Sequence, residues 1–183
     1  TTSGTTGTPK VVNISAGGLQ NFLTWAIKHF ALGRGSRVVS YAPFNFDLSL
    51  LEVWATLASG ATILLTNPDK ATDPAHVGEL VFGRSPSLIQ AVPMFYQLLT
   101  EYADQHQLAP AAKGPDHLIS TGDATSQTLR KRLSVLFPTS IFHNIYGSTE
   151  TNNSFIYSCS AASFAHRDTL PIGQPIDEVH YRI

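Results

Sequence analysis

Between Ser15 and Phe30 the apolar residues Leu19, Phe22, Leu23, Ala26, Ile27 and Phe30 recur at steps of three and four, a spacing that predicts an amphipathic helix. After the Gly33-Arg34-Gly35 turn, Arg37-Val38-Val39-Ser40-Tyr41 reads as a strand, and a helix is predicted from Leu48 to Leu57, stopped by Gly60. The alternation continues with a strand over Ala61–Leu65, a helix over His76–Phe82, a strand over Ser87–Val92 and a helix over Met94–Gln105, for which Pro93 suits the first turn. A looser connection from Leu108 to Pro115 leads into a strand, His117–Thr121, that ends at Gly122. Ser126 then caps a helix running to Leu136, and Ile141–Asn144 reads as another strand. From Ser160 onward the pattern is irregular, with a turn-rich exit at Pro171-Ile172-Gly173-Gln174-Pro175.

Strands separated by helices predict an α/β fold with a mostly parallel sheet flanked by helices. In such sheets ligands bind beyond the carboxyl ends of the strands, where the glycine-containing loops fall. Composition narrows the class. A chain of 183 residues is one domain-sized unit, able to bury a substantial core and also to form part of something larger. With 43% hydrophobic residues, 14% charged residues and a net charge of -1, it has no broad basic face, so nucleic acid and acidic membranes are not expected partners. The single Cys159 excludes an internal disulfide framework, no Cys/His spacing suits structural zinc, and a reducing, cytoplasmic setting is expected. No stretch has the length of a membrane span, and no signal-peptide pattern is visible.

The chemistry begins at the amino terminus. Thr2-Ser3-Gly4-Thr5-Thr6-Gly7-Thr8-Pro9-Lys10 combines glycines that admit close backbone approach, hydroxyl donors and a cation, which together suit a polyphosphate. A polar tail is the plainer alternative for such composition. The run is not a Walker A loop, because Pro9 precedes Lys10 and Val11 follows it. Its order resembles the phosphate loop of the adenylate-forming (AMP-binding) superfamily, Thr-Ser-Gly-Thr-Thr-Gly-x-Pro-Lys-Gly, with Val11 in place of the last glycine.

A second constellation, Asn144-Ile145-Tyr146-Gly147-Ser148-Thr149-Glu150, supplies an amide, an aromatic ring, hydroxyls and a carboxylate on what reads as a loop after a strand. Tyr146 can stack on a base, Thr149 can donate to phosphate and Glu150 can hold Mg²⁺; taken singly, each is as readily a rim or solvated residue. The string resembles the family's Asn-x-Tyr-Gly-Pro-Thr-Glu motif, which implies contacts with adenine and phosphate and ligation of magnesium. Ser148 stands where the family has proline, a change expected to loosen the turn. Gly122-Asp123-Ala124 is similar to the family's Gly-Glu-Ala segment, whose backbone borders the adenine, and is equally readable as a simple strand-to-helix turn.

Phe44-Asn45-Phe46-Asp47-Leu48-Ser49 selects the branch. Amino-acid-activating members carry a Phe-Asp pair here, and the resemblance makes Asp47 the partner of the substrate ammonium, since a buried ammonium needs a counter-charge. Asp47 can also cap the helix that starts near Leu48, and the two uses are compatible. By the same resemblance the side-chain pocket is lined by Leu48, Leu51, Gln90, Ile119, Thr121, Ile145, Asn153 and Ser154. None of these is charged, so a small or medium neutral amino acid is the expected substrate.

The resemblance thus implies an amino-acid adenylation domain of the nonribosomal peptide synthetase type. Its reaction is attack of an amino-acid carboxylate on the α-phosphorus of ATP, followed by transfer to the phosphopantetheine thiol of a carrier protein. Thr2, Ser3, Gly4, Thr5, Thr6, Gly7 and Lys10 would grip the β/γ-phosphates; Gly122, Asp123, Ala124, Asn144, Ile145, Tyr146, Gly147 and Ser148 would border the nucleotide; Thr149 would meet phosphate and Glu150 magnesium. Positioning and electrostatics would carry the rate. The resemblance covers residues 1–183 as the middle of the family's large N-terminal portion, without the later ribose-binding aspartate, the hinge or the C-terminal domain with its catalytic lysine. An acyl-CoA synthetase segment and a non-catalytic nucleotide-binding module remain the competing readings. The 183-residue stretch alone is expected to have negligible adenylation activity; amino-acid-dependent ATP–pyrophosphate exchange assayed on it should stay at background, and robust exchange would refute the expectation.

Overall fold

The computed structural model describes residues 11–177, 179, 180 and 182. The phosphate-loop candidates Thr2, Ser3, Gly4, Thr5, Thr6, Gly7 and Lys10 lie outside the described residues. The chain runs α1 (Ala16–His29), β1 (Arg37–Ser40), α2, β2 (Thr62–Leu65), α3 (Pro74–Gly78), β3 (Leu88–Ala91), α4 (Pro93–Gln105), β4 (His117–Thr121), α5 (Gln127–Leu136), β5 (Ile141–Ser148), β6 (Asn152–Ser160), α6 (Ala161–His166) and β7 (Gln174–Pro175). Helix α2 is wound as a π-helix over Leu50–Ala55 and as an α-helix over Thr56–Ala58, and a π-helical turn, Glu79–Gly83, continues α3. All seven strands form one sheet in the order β2-β1-β3-β4-β5-β6-β7. The pairings from β2 to β5 are parallel, and β6 and β7 add antiparallel edges.

Local chemistry sets the helix starts. Ser15 accepts from the Gly18 amide at 3.0 Å, Asp73 from Ala75 at 2.9 Å and Ser126 from Leu129 at 3.3 Å, each satisfying an amide that its helix cannot. Strand β3 is buried along its whole length, as a central parallel strand covered on both faces should be.

Alternation along the strands divides the core in two. Val39, Ile89, Leu118 and Phe142 face α3, α4, α5 and α6, in a cluster completed by Val77, Phe95, Leu99, Leu133 and Phe164. Val38, Leu88, Ile119 and Ile145 face the other way, against Phe22, Trp25 and Ala26 of α1 and Leu51 and Ala55 of α2. Two sequence expectations change. Asn144–Ser148 is not a loop but the second half of β5, which continues to Ser148 before turning into β6. The region after Ser160 is not irregular throughout: α6 follows, capped by Ser160, with Phe164 stacked on Phe142 at 4.4 Å and beside the buried Arg130. Arg130 Nη2 donates to the carbonyls of Arg167 (2.7 Å) and Asp168 (3.1 Å), fixing the chain as it leaves that helix.

A histidine pair lies on the α1 side of the sheet. His143, 2% exposed, shares hydrogen bonds with Ser158 Oγ (2.7 Å) and His117 Nδ1 (3.0 Å). Burial first, then the neighbouring His117 and His29, hold its pKa down to about 3. The native state keeps this ring neutral while the unfolded chain protonates it near the ordinary 6.5, so its contribution to stability is lost as pH falls from 6.5 towards 3. Urea unfolding of wild type and His143→Asn at pH 5 and 7 should show a weaker acid-side loss in the variant, the slopes differing by up to about 1.4 kcal/mol per pH unit.

Candidate nucleotide and substrate site

The parallel register brings the candidate residues together. Gln90 lies beside Ile119, and Ile119 beside His143; one step on, Thr121 lies beside Ile145. These residues share the face packed by α1 and α2, so Leu51, Gln90, Ile119, Thr121 and Ile145 come from three strands and one helix into a single wall, none more than 7% exposed. Ser154 of β6 is buried as well, its hydroxyl donating to Thr151 O at 3.3 Å, and Asn153 is half-buried.

Polar groups tie this wall. Gln90 Nε2 donates to the Leu48 carbonyl at 3.0 Å, Asn153 Nδ2 donates to Gln90 Oε1 at 3.4 Å, and Thr121 Oγ1 donates to the Ile145 carbonyl at 3.1 Å. Asp47 and Leu48 are half-buried at the end of the loop that leaves β1. Asp47 does not cap α2: Ser49 occupies the cap position and donates instead to Phe44 O (3.1 Å) and Phe46 O (2.6 Å). The Asp47 carboxylate has no hydrogen-bond or ion-pair partner among the described residues.

Sequence reasoning passed over Glu52. It is fully buried, and its Oε2 accepts the amides of Tyr41 (2.8 Å) and Ala42 (3.0 Å). Burial raises its pKa to about 8, against the opposing pull of those two amides. The signal was present: Leu48, Leu51, Glu52 and Ala55 follow helical spacing, which puts a carboxyl on the apolar stripe.

The nucleotide candidates occupy the strand ends. Asn144 and Tyr146 point to the opposite face from Ile145. The Asn144 amide donates to Pro171 O at 2.8 Å, so one of its polar groups already holds the later chain, while Tyr146 is 57% exposed. Gly122, the first residue beyond β4, has φ +81°, which glycine adopts without strain; Asp123 Oδ1 accepts from the Ala124 amide at 2.7 Å. Gly147 lies against the backbone of Asn152 so closely that no Cβ fits, which explains the glycine of the hairpin. The turn is not loosened at Ser148: its amide and hydroxyl both contact Thr151 Oγ1, at 3.4 and 3.2 Å, and the amide contact is one that proline lacks.

Thr149 and Glu150 sit at the tip of this hairpin. Glu150 lines a cavity of about 390 Å³ together with Asn13 and Ser15 before α1, Asn152, Asn153 and Asp177. The donor set is oxygen-rich, and among the described residues no cluster of three or more His, Cys, Asp or Glu side chains could hold a metal. Oxygen donors of this kind are the ones magnesium takes.

A mostly parallel sheet flanked by helices, with its polar candidates towards the carboxyl ends of the strands, is the arrangement in which α/β proteins bind ligands. Known proteins share it. The adenylation domain AlmE of Vibrio cholerae, solved in complex with glycyl-adenosine-5'-phosphate, matches with a TM-score of 0.80 and 26% identity, over 97% of this chain and 32% of that one. The D-alanine--D-alanyl carrier protein ligase of Bacillus velezensis is 33% identical over 174 residues, covering 94% of this chain and 34% of the ligase. The L-proline--[L-prolyl-carrier protein] ligase of Streptomyces coelicolor is 33% identical over 183 residues, covering 96% and 33%. The chain belongs to the AMP-binding enzyme family, whose model matches residues 1–183. It spans about a third of the length of those two ligases. No helix among the described residues is long and apolar enough to cross a membrane.

Because Glu52 binds its proton more tightly folded than unfolded, it stabilises the fold below its unfolded pKa, and that contribution is lost as pH rises towards 8. Glu52→Gln should remove this loss. Between pH 5.5 and 7.5, chemical unfolding should show wild-type stability declining relative to the variant by about 1.4 kcal/mol per pH unit; parallel curves would contradict the assignment.

Proposed function

We propose that the protein containing this chain activates a neutral amino acid as its adenylate, converting ATP and the amino acid to aminoacyl-AMP and pyrophosphate, and then passes the acyl group to the phosphopantetheine thiol of a carrier protein. One observation carries this reading: the half-buried Asp47 carboxylate, without a partner among the described residues, at the edge of a wall whose one other acidic side chain, Glu52, is buried and bonded to backbone amides. A carboxylate in that position suits the ammonium of an amino acid. Relatives that join D-alanine and L-proline to carrier proteins support the same class of substrate.

The chain's own residues would bind and orient. Asp47 pairs with the ammonium, and the aliphatic wall of Leu51, Ile119 and Ile145 receives a compact side chain. The amide of Gln90 is spent on Leu48 and Asn153, so it offers little to a polar or charged substrate. Tyr146, Asn144 and the Gly122–Ala124 turn receive the adenine, while Thr149 and Lys10 meet the phosphates. Glu150 holds magnesium, which supplies charge neutralisation on the phosphates when bound.

Asp47→Ala in the intact protein should lower kcat/KM for the amino acid in pyrophosphate exchange by about two to four orders of magnitude, as expected when a paired charge loses a partner worth about 3–5 kcal/mol. CoA-dependent turnover of a fatty or aryl acid that survives Asp47→Ala unchanged would replace this reading with that of an acyl-CoA synthetase. Thermal-shift titration with ATP and magnesium should stabilise wild type, and Glu150→Ala should reduce the magnesium-dependent part.

A further inference from the structure

Glu52 is the sole fully buried carboxyl group among the described residues, and it spans a particular gap. Its backbone belongs to α2, whereas its Oε2 receives the amides of Tyr41 and Ala42, the first residues after β1. The segment between these ends is the loop that carries Asp47. Within the loop the chain is folded by short-range bonds: Phe46 N to Pro43 O (2.9 Å), Ser49 N to Phe46 O (3.1 Å), Leu50 N to Asp47 O (2.9 Å) and the Ser49 hydroxyl to Phe44 O and Phe46 O. Gln90 reaches from β3 to the Leu48 carbonyl. Those contacts fold the loop on itself and hold its far end, and Glu52 closes its base.

We propose that Glu52 is a positioning residue for the substrate's ammonium subsite, clamping the Tyr41–Asp47 loop to α2 so that the Asp47 carboxylate is held where the amine arrives. The inference rests on the reading of Asp47 as the amine's partner. Loss of the carboxyl leaves two part-buried amides without an acceptor, and the loop must move to rehydrate them fully. Glutamine keeps the geometry, because its carbonyl oxygen has lone pairs for both amides and its NH₂ occupies the place of the second oxygen. Aspartate is one methylene too short to reach both amides from the same backbone.

The test is ATP–pyrophosphate exchange by the intact protein with whichever of glycine, alanine or proline supports the fastest turnover, together with the matching acid that lacks the amine (acetate, propionate or tetrahydrofuran-2-carboxylate). Glu52→Ala and Glu52→Asp should each raise KM for the amino acid at least tenfold, leave KM for ATP within twofold and narrow the preference for the amine-bearing acid. Glu52→Gln should stay within threefold of wild type on all three. A purely structural role would move both KM values together, or be rescued by no variant, and either result overturns the proposal. If Glu52→Ala yields no folded protein, the aspartate and glutamine pair decides alone. Asp47→Ala separates the two levels: if it impairs amino-acid KM while the Glu52 variants do not, only the clamp fails; if Asp47→Ala leaves that KM unchanged, the amine reading fails and the clamp with it.

Discussion

The in-register parallel pairing of β3, β4 and β5 is the constraint on which everything else hangs. Because neighbouring parallel strands run the same way, a residue one position further along each strand lies one position nearer the same edge. Gln90, Ile119 and His143 are fixed side by side, and so are Thr121 and Ile145, although some fifty residues separate the first from the last. A slip of one residue in β4 would send Ile119 and Thr121 to the α4–α5 side and dissolve the wall. The loops beyond this edge then need only be short, since the strands have already delivered their ends together.

The two faces divide the labour. The side covered by α3, α4, α5 and α6 is mainly apolar, with aromatic stacking such as Phe142 on Phe164, and the buried Arg130 is its charged exception. The side covered by α1 and α2 holds Gln90, Thr121 and His143 among its aliphatic residues, and Glu52 beside them. Buried polar groups cost desolvation unless each finds a partner, so this second face is the less economical way to stabilise a sheet. Its polar members are held by specific hydrogen bonds, and the opposite face supplies the apolar burial that offsets them.

The strongly periodic elements were legible in the sequence: α1, α4 and α5 announce themselves by apolar spacing and α5 also by its cap Ser126, and the buried strands by short apolar runs. The hairpin from β5 to β6 was not. Its turn contains no glycine between Ser148 and Asn152, and the positive φ of 55° that such a reversal requires falls on Asn152. Helix α6 is too short at six residues to show a period, and it exists because Phe164 and Arg130 find each other across the fold. The site was legible in its motifs and opaque in its supports. Asp47, Tyr146 and Glu150 stand in recognisable strings, whereas the engagement of Asn144 with Pro171 and of Gln90 with Leu48 joins residues distant in sequence, and no local pattern encodes it.

Helix α2 carries one more consequence. Its π-winding over Leu50–Ala55 accommodates more chain per turn than an α-helix does, and Leu51 and the adjacent Glu52 are both buried within it. One residue of α-helix corresponds to about 100° of rotation. Removing a single residue here would rotate the side chains before it relative to those after it by about that angle, even though every remaining side chain kept its identity. The number of residues between Asp47 and β2 is therefore a coordinate of the site in its own right, and homologous chains that differ in that count are expected to differ in pocket shape before any lining residue changes.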